Sequence, residues 1–158
     1  MNREILFKAK RKDNGEWVEG YYIYHIKRTI CPFGDSVKPE DEQHVIMQDG
    51  FSDWNMPRDT VVYEIDPDTL CQFTGLTDKN GKKIWENDIV ECNKRKEECG
   101  LYKVVWRKEY ADFGVVPISN TCIGQYPIGF SCGKTLHGSD YKSIGNIFDN
   151  ADLLEVDG

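Results

Sequence analysis

The stretch from Cys71 to Cys92, CQFTGLTDKNGKKIWENDIVEC, constrains the fold more than any other part of the chain. Gln72-Phe73-Thr74 and Lys83-Ile84-Trp85 contain the aromatic and β-branched residues that fit a pleated surface. They flank Asn80-Gly81, two residue types that tolerate the positive φ a tight type I′ turn requires at both central positions. The pattern predicts a hairpin. Glu86-Asn87-Asp88 breaks it, and Ile89-Val90-Glu91-Cys92 starts a further strand able to pair with or pack beside the first two.

This stretch also carries a family resemblance. Gln72-Phe73-Thr74-Gly75-Leu76, Asp78-Lys79-Asn80-Gly81, Ile84, Glu86 and Asp88-Ile89-Val90 resemble the central signature of the YopX family, proteins found mainly in phages and prophages. Phe7-Lys8-Ala9 with Trp17-Val18-Glu19-Gly20 is similar to the family's opening. Ile144-Gly145-Asn146-Ile147-Phe148-Asp149-Asn150 with Leu153-Leu154-Glu155 is similar to its close. The resemblance implies a mostly β protein of mobile genetic elements with no assigned biochemical role. It supplies no catalytic, cofactor-binding or metal-binding residues.

Elsewhere the patterns are also those of strands. Ile5, Phe7 and Ala9 alternate with charged or bulky neighbours, the period of a strand with one face buried, and Asp13-Asn14-Gly15 closes a turn. Trp17 to Ile26 has apolar residues on both parities, which predicts a central strand with both faces largely covered. Lys27 to Gln43 mixes prolines, glycine and acidic residues and reads as an exposed, disordered excursion. Short strands are expected at Val45–Gln48 and Thr60–Ile65, stopped by Asp66-Pro67-Asp68. Further strands are expected at Leu101–Trp106, Phe113–Ile118 and Ile128-Gly129-Phe130, and a short terminal helix at Ala151–Val156 capped by Asn150. The fold class is therefore mainly β, with short-stranded antiparallel sheets and little helix. An N-terminal β lobe with long loops spans 1–66. A second lobe, 67–158, has strand spacing that suits a small SH3-like or half-open barrel, and the two lobes can share one core.

Composition limits the partners. The 27 acidic and 20 basic residues leave a net charge of -7, which opposes long-range attraction to nucleic acid and to anionic membranes. No window of about 20 apolar residues exists, and Met1-Asn2-Arg3-Glu4 leads into a mixed strand; the expectation is a soluble cytoplasmic protein. The six cysteines (Cys31, Cys71, Cys92, Cys99, Cys122, Cys132) include no Cys-x-x-Cys pair and read as reduced thiols rather than as zinc ligands or disulfides.

Catalytic signatures are thin. His25, His44 and His137 lie near no nucleophile motif, and His25, within an aromatic strand, reads as a structural imidazole. Cys132-Gly133-Lys134-Thr135 resembles the end of a phosphate loop, but Ile128 stands where the motif needs its first glycine. Asp78, Glu86, Asp88 and Glu91 could converge to hold a hard cation or to act as acid and base. The simpler reading gives Asp78 and Asp88 to backbone amides in turns. Trp54 and Tyr110 are the exposed-aromatic candidates, and Lys79, Lys82, Lys83, Lys94, Arg95 and Lys96 are expected on adjacent hairpin tips. These features order three readings. The first is a non-catalytic module that binds protein, including a further copy of itself as a homo-oligomer. The second is a single-stranded nucleic-acid binder using the lysine-rich tips, and the third a metal-dependent hydrolase using Asp78, Glu86 and Asp88.

Overall fold

The computed structural model describes residues 4–31, 33–92, 100–118, 124–131 and 134–154. Strands dominate these residues, and the helical elements are short 3-10 turns. The chain divides into two compact units between Gln72 and Phe73.

In the N-terminal unit, β1 (Phe7–Lys10), β2 (Trp17–Ile26), β3 (Glu42–Asp49) and β4 (Thr60–Glu64) form an antiparallel sheet in the order β4-β3-β2-β1. On its other side β1 pairs with Cys71 and Gln72, the first residues of β5 (Cys71–Thr77). Alternation along these strands buries Ala9, Val18 and Ile46 together with Ile65, and Phe7, Tyr22, Tyr63 and Leu70 pack against them. The sheet curls enough for Arg11, at the end of β1, to form an isolated antiparallel bridge with Ile65, just beyond β4. Lys12 N donates to Glu64 O at 3.0 Å and Asp66 N to Lys10 O at 2.8 Å beside that bridge. Gly20 is where β2 and β3 approach most tightly, since a Cβ there would lie 2.3 Å from Met47 O.

Two expectations for this unit need correction. β2 is central in strand order, but beyond Gly20 its Tyr21, Ile23, Tyr24, His25 and Ile26 are exposed. The cause is the brevity of β1, which pairs only with Trp17–Gly20 and leaves the distal half of β2 with β3 alone. The excursion after β2 is exposed over most of its described length, as expected, with Arg28 Nη1 reaching Asp35 at 2.8 Å and Nε reaching Asp41 at 2.8 Å, but β3 begins at Glu42 rather than Val45.

The C-terminal unit takes the rest of β5, then β6 (Lys83–Trp85), β7 (Asp88–Cys92), β8 (Leu101–Arg107) and β9 (Asp112–Pro117). After these come β10 (Tyr126–Pro127), β11 (Phe130–Ser131), β12 (Lys134–Thr135) and β13 (Tyr141–Asn146). Five of them form an antiparallel sheet in the order β10-β9-β8-β7-β13. Its core joins Val90, Tyr102, Val104, Phe113, Val115 and Tyr141 to Ile84 of β6. The sheet stays open, with β10 and β13 at its edges, and no closed SH3-like barrel forms among the described residues. Ile128 and Gly129 make a turn between two-residue strands instead of the expected strand, so this segment cannot carry a ladder round to closure.

The central hairpin forms, with a different turn. Only Gly81 adopts positive φ, at 80°. Asp78 N donates to Lys82 O at 2.7 Å and Gly81 N to Asp78 O at 2.9 Å, the pattern of a type I turn followed by a left-handed glycine. Gly75, at φ 87°, lies within the register shift between Phe73 and Thr77. At the C-terminus a 3-10 turn covers Ala151–Leu154, and Asn150 Oδ1 accepts from Asn146 N at 3.2 Å. Leu154 is exposed and Leu153 half-buried, and Val156 lies outside the described residues.

Candidate interaction surface

The carboxylates of the central stretch are held by backbone. Asp78 is only 4% exposed; its Oδ1 accepts from Asn80 N at 2.8 Å and Lys82 N at 2.9 Å, while Oδ2 accepts from Ser143 N at 3.1 Å. Burial pushes this carboxyl up, but the amides of Lys82, Ser143 and Asn80 and the Lys82 charge outweigh it and hold it below its ordinary range. Asp88 is buried, and its Oδ2 accepts from Trp85 N at 2.9 Å across a corner in which Asn87 takes φ 64°. Glu86 and Glu91 are half-buried. Among the described residues no group of three or more His, Cys, Asp or Glu is placed to hold a metal ion. Asp78 and Asp88 thus serve the turns.

The other sequence candidates disperse. Lys79 and Lys82 are exposed, whereas Lys83 lies over the rings of Phe73 and Trp85 at 5.8 and 5.7 Å; Lys94, Arg95 and Lys96 are outside the described residues. His44, not His25, is the engaged imidazole of β2 and β3, with Tyr22 Oη 2.7 Å from its Nδ1. Cys31 is exposed and Cys71 and Cys92 are buried, while Cys99, Cys122 and Cys132 are outside the described residues. Trp54 and Tyr110 are both exposed; Tyr110 is stacked by the Arg107 guanidinium at 4.4 Å.

Exposed apolar surface is unevenly shared. Among the described residues, fourteen large hydrophobic side chains are exposed, and only Trp106, Tyr110 and Leu154 belong to the C-terminal unit. The remaining eleven lie in the N-terminal unit, so an apolar partner would be sought there. The two most exposed, Phe51 at 92% and Trp54 at 93%, lie on the loop between β3 and β4 together with Met56, while Phe33, at 90%, lies on the connection after β2.

This loop is held by its own hydrogen bonds. Gly50 N donates to Asp59 O at 2.7 Å and closes its base, and Met56 N donates to Asp53 O at 3.2 Å. Ser52 Oγ lies within hydrogen-bonding reach of the carbonyls of Asp53 at 3.0 Å and Met56 at 2.8 Å. Asn55 takes φ 62°, a left-handed conformation that asparagine tolerates, and Arg58 reaches back to Asp49 at 3.3 Å. The apolar tips therefore project from a shaped support instead of folding inward.

A cleft opens at the same end of this unit. Strand directions dictate the placement, since β1 and β3 run toward this end while β2 and β4 run away from it. The cleft is about 300 Å³ and is lined by Arg11, Glu16, Trp17, Val18, Glu19, Gln48 and Tyr63. Arg11 stacks on Tyr63 at 4.2 Å, and its Nε donates to Asp13 Oδ1 at 2.9 Å. Lys8 and Lys10 lie over the Trp17 ring at 5.0 and 5.5 Å. Sequence reasoning missed the cleft because its lining comes from four separated segments. The sequence places Phe51, Trp54 and Met56 together in the irregular connection Asp49 to Asp59, but of the three it singles out only Trp54 as exposed.

The family model described as YopX protein matches residues 6–155. The chain belongs to the YopX family. This match spans both units of the YopX-family chain. Among solved structures, that of protein EF1440 from Enterococcus faecalis is similar, at 23% identity and a TM-score of 0.45, over 98% of this chain and all of that one. No curated protein matches. No described helix is long and apolar enough to cross a membrane.

Proposed function

We propose that this YopX-family protein acts by binding protein, through the end of the N-terminal unit where the loop and the cleft lie together. The observation that carries the proposal is the triplet Phe51, Trp54 and Met56, held outward by a hydrogen-bonded loop. Apolar side chains left in water gain nothing for the isolated fold, whereas aromatic residues on a preformed loop bury large area on a partner at little cost in ordering. Aromatic anchors of this kind dominate binding energy at protein interfaces. The net charge of -7 disfavours phosphate backbones and anionic lipid as alternatives. The family's occurrence in phages and prophages makes the host cytoplasm the place to look for the partner.

The test compares retained proteins rather than seeking any retained protein. Immobilised wild type and a Phe51→Ser, Trp54→Ser, Met56→Ser variant are exposed to the same host extract. The proposal expects a protein, of this chain or another, held by the wild type and lost by the variant. Identical retention by both would overturn it.

A further inference from the structure

We infer that the partner is a second copy of this chain, in a two-fold dimer where each Trp54 enters the cleft of the other protomer; this rests on the binding reading above. The first argument is adjacency. Gln48, which lines the cleft, stands two residues before Gly50, where the projecting loop begins. A knob and a hole at the same end of one chain form a self-complementary patch, and a two-fold axis satisfies both at once.

The second argument is the chemistry of the hole. An indole presents flat apolar faces and one N–H that needs an acceptor when buried. The cleft is lined by the rings of Trp17 and Tyr63, which Lys8, Lys10 and Arg11 already engage, by the apolar side chain of Val18, and by side-chain oxygens of Glu16, Glu19 and Gln48. Its volume of about 300 Å³ lies at the lower end of the roughly 300–1,000 Å³ range of ligand pockets, room suited to one aromatic side chain rather than to a cofactor.

Charge is the third argument. The loop carries Asp53, Arg58 and Asp59, with an exposed Arg58 reaching an exposed Asp49 at 3.3 Å, while the cleft rim carries Glu16 and Glu19 beside an Arg11 already bonded to Asp13. Crossing the two loops offers Arg58, the one base of its loop, the acidic rim of the other protomer in place of a solvent-exposed pairing with Asp49.

Light scattering and sedimentation of the full chain, in reductant because Cys31 is exposed, read the outcome. The inference expects a reversible dimer of the 18.2 kDa chain. Trp54→Ala should weaken it steeply. A buried aromatic anchor is worth roughly 30-fold or more, and a dimer contains it twice, so the dissociation constant should rise about 1,000-fold. Arg58→Glu and Glu19→Lys should each weaken the dimer, and the double variant should recover at least about 10-fold, a coupling that misfolding would not produce. A wild type that stays monomeric up to about 0.5 mM, or a dimer indifferent to Trp54→Ala, would overturn the inference. If the wild type is monomeric but the triple loop variant still loses a host protein, protein binding stands and only the second-copy partner falls.

Discussion

Replacing Asp78 tests the claim that the carboxylates of the central hairpin are structural. Asp78→Ala removes the acceptor of three backbone amides, those of Asn80, Lys82 and Ser143. The Ser143 bond spans 65 positions and ties the hairpin tip to β13. Hydrogen bonds to a charged, buried acceptor contribute roughly 1.5–3 kcal/mol each and are not additive, so the loss should be about 3–5 kcal/mol. Asp78→Asn keeps Oδ1 for Asn80 and Lys82 but can turn an NH2 toward the Ser143 amide, so it should cost about 1–2 kcal/mol. Urea unfolding followed by tryptophan fluorescence, with buried Trp85 next to the hairpin as a reporter, gives both values. The pH dependence has a definite sign. A carboxyl held below its ordinary range contributes fully above about pH 5 and loses its contribution as pH falls through its depressed value. The gap between wild type and Asp78→Ala should therefore narrow below about pH 4. An Asp78→Ala variant within about 0.5 kcal/mol of wild type at pH 7 would refute the reasoning.

Other expectations follow from the same geometry. Gly20→Ala, whose Cβ would meet Met47 O at 2.3 Å, and Gly138→Ala, whose Cβ would meet Thr77 O at 2.0 Å, should each destabilise by about 2–3 kcal/mol. Gly100→Ala, with nothing within 4 Å, should be nearly neutral, and equal stability of all three would contradict the strand spacing. Because the oxygens of Asp78 and Asp88 already accept backbone amides, millimolar calcium, magnesium and manganese should leave the melting temperature unchanged. A rise of several degrees with any one of them would reinstate the metal reading. A salt-titrated mobility shift on short single strands should show no complex at about 50 mM salt, where electrostatic affinity is strong; a complex there would favour the nucleic-acid reading.

The elements that were legible in the sequence depend on neighbours in the chain. Asn80-Gly81 and Asp13-Asn14-Gly15 reveal their hairpins because turn chemistry is local, and the β-branched runs at Thr60–Ile65 and Leu101–Trp106 reveal strands by composition. The turn type at Asn80-Gly81 was not legible. Asp78 accepts the Asn80 and Lys82 amides and selects a type I geometry, leaving only Gly81 left-handed. The exposure of Tyr21 and of Ile23 to Ile26 was hidden for a different reason. Apolar residues on both parities signal burial only where strands lie on both sides, and β1 stops after four residues. Of the candidate surface, Trp54 was visible as an aromatic in a polar connection. The cleft beside it was not, since Arg11, Trp17, Gln48 and Tyr63 meet only after the sheet curls.

The central claim is that the loop at the end of the N-terminal unit is where this protein meets its partner. A photo-activatable phenylalanine analogue at position 54, with the same analogue at position 110 as the exposed comparison, tests it in the cells that produce the protein. Irradiation should give a discrete covalent adduct from position 54 and little from position 110. Adducts from position 110 alone, or none from either, would contradict the account.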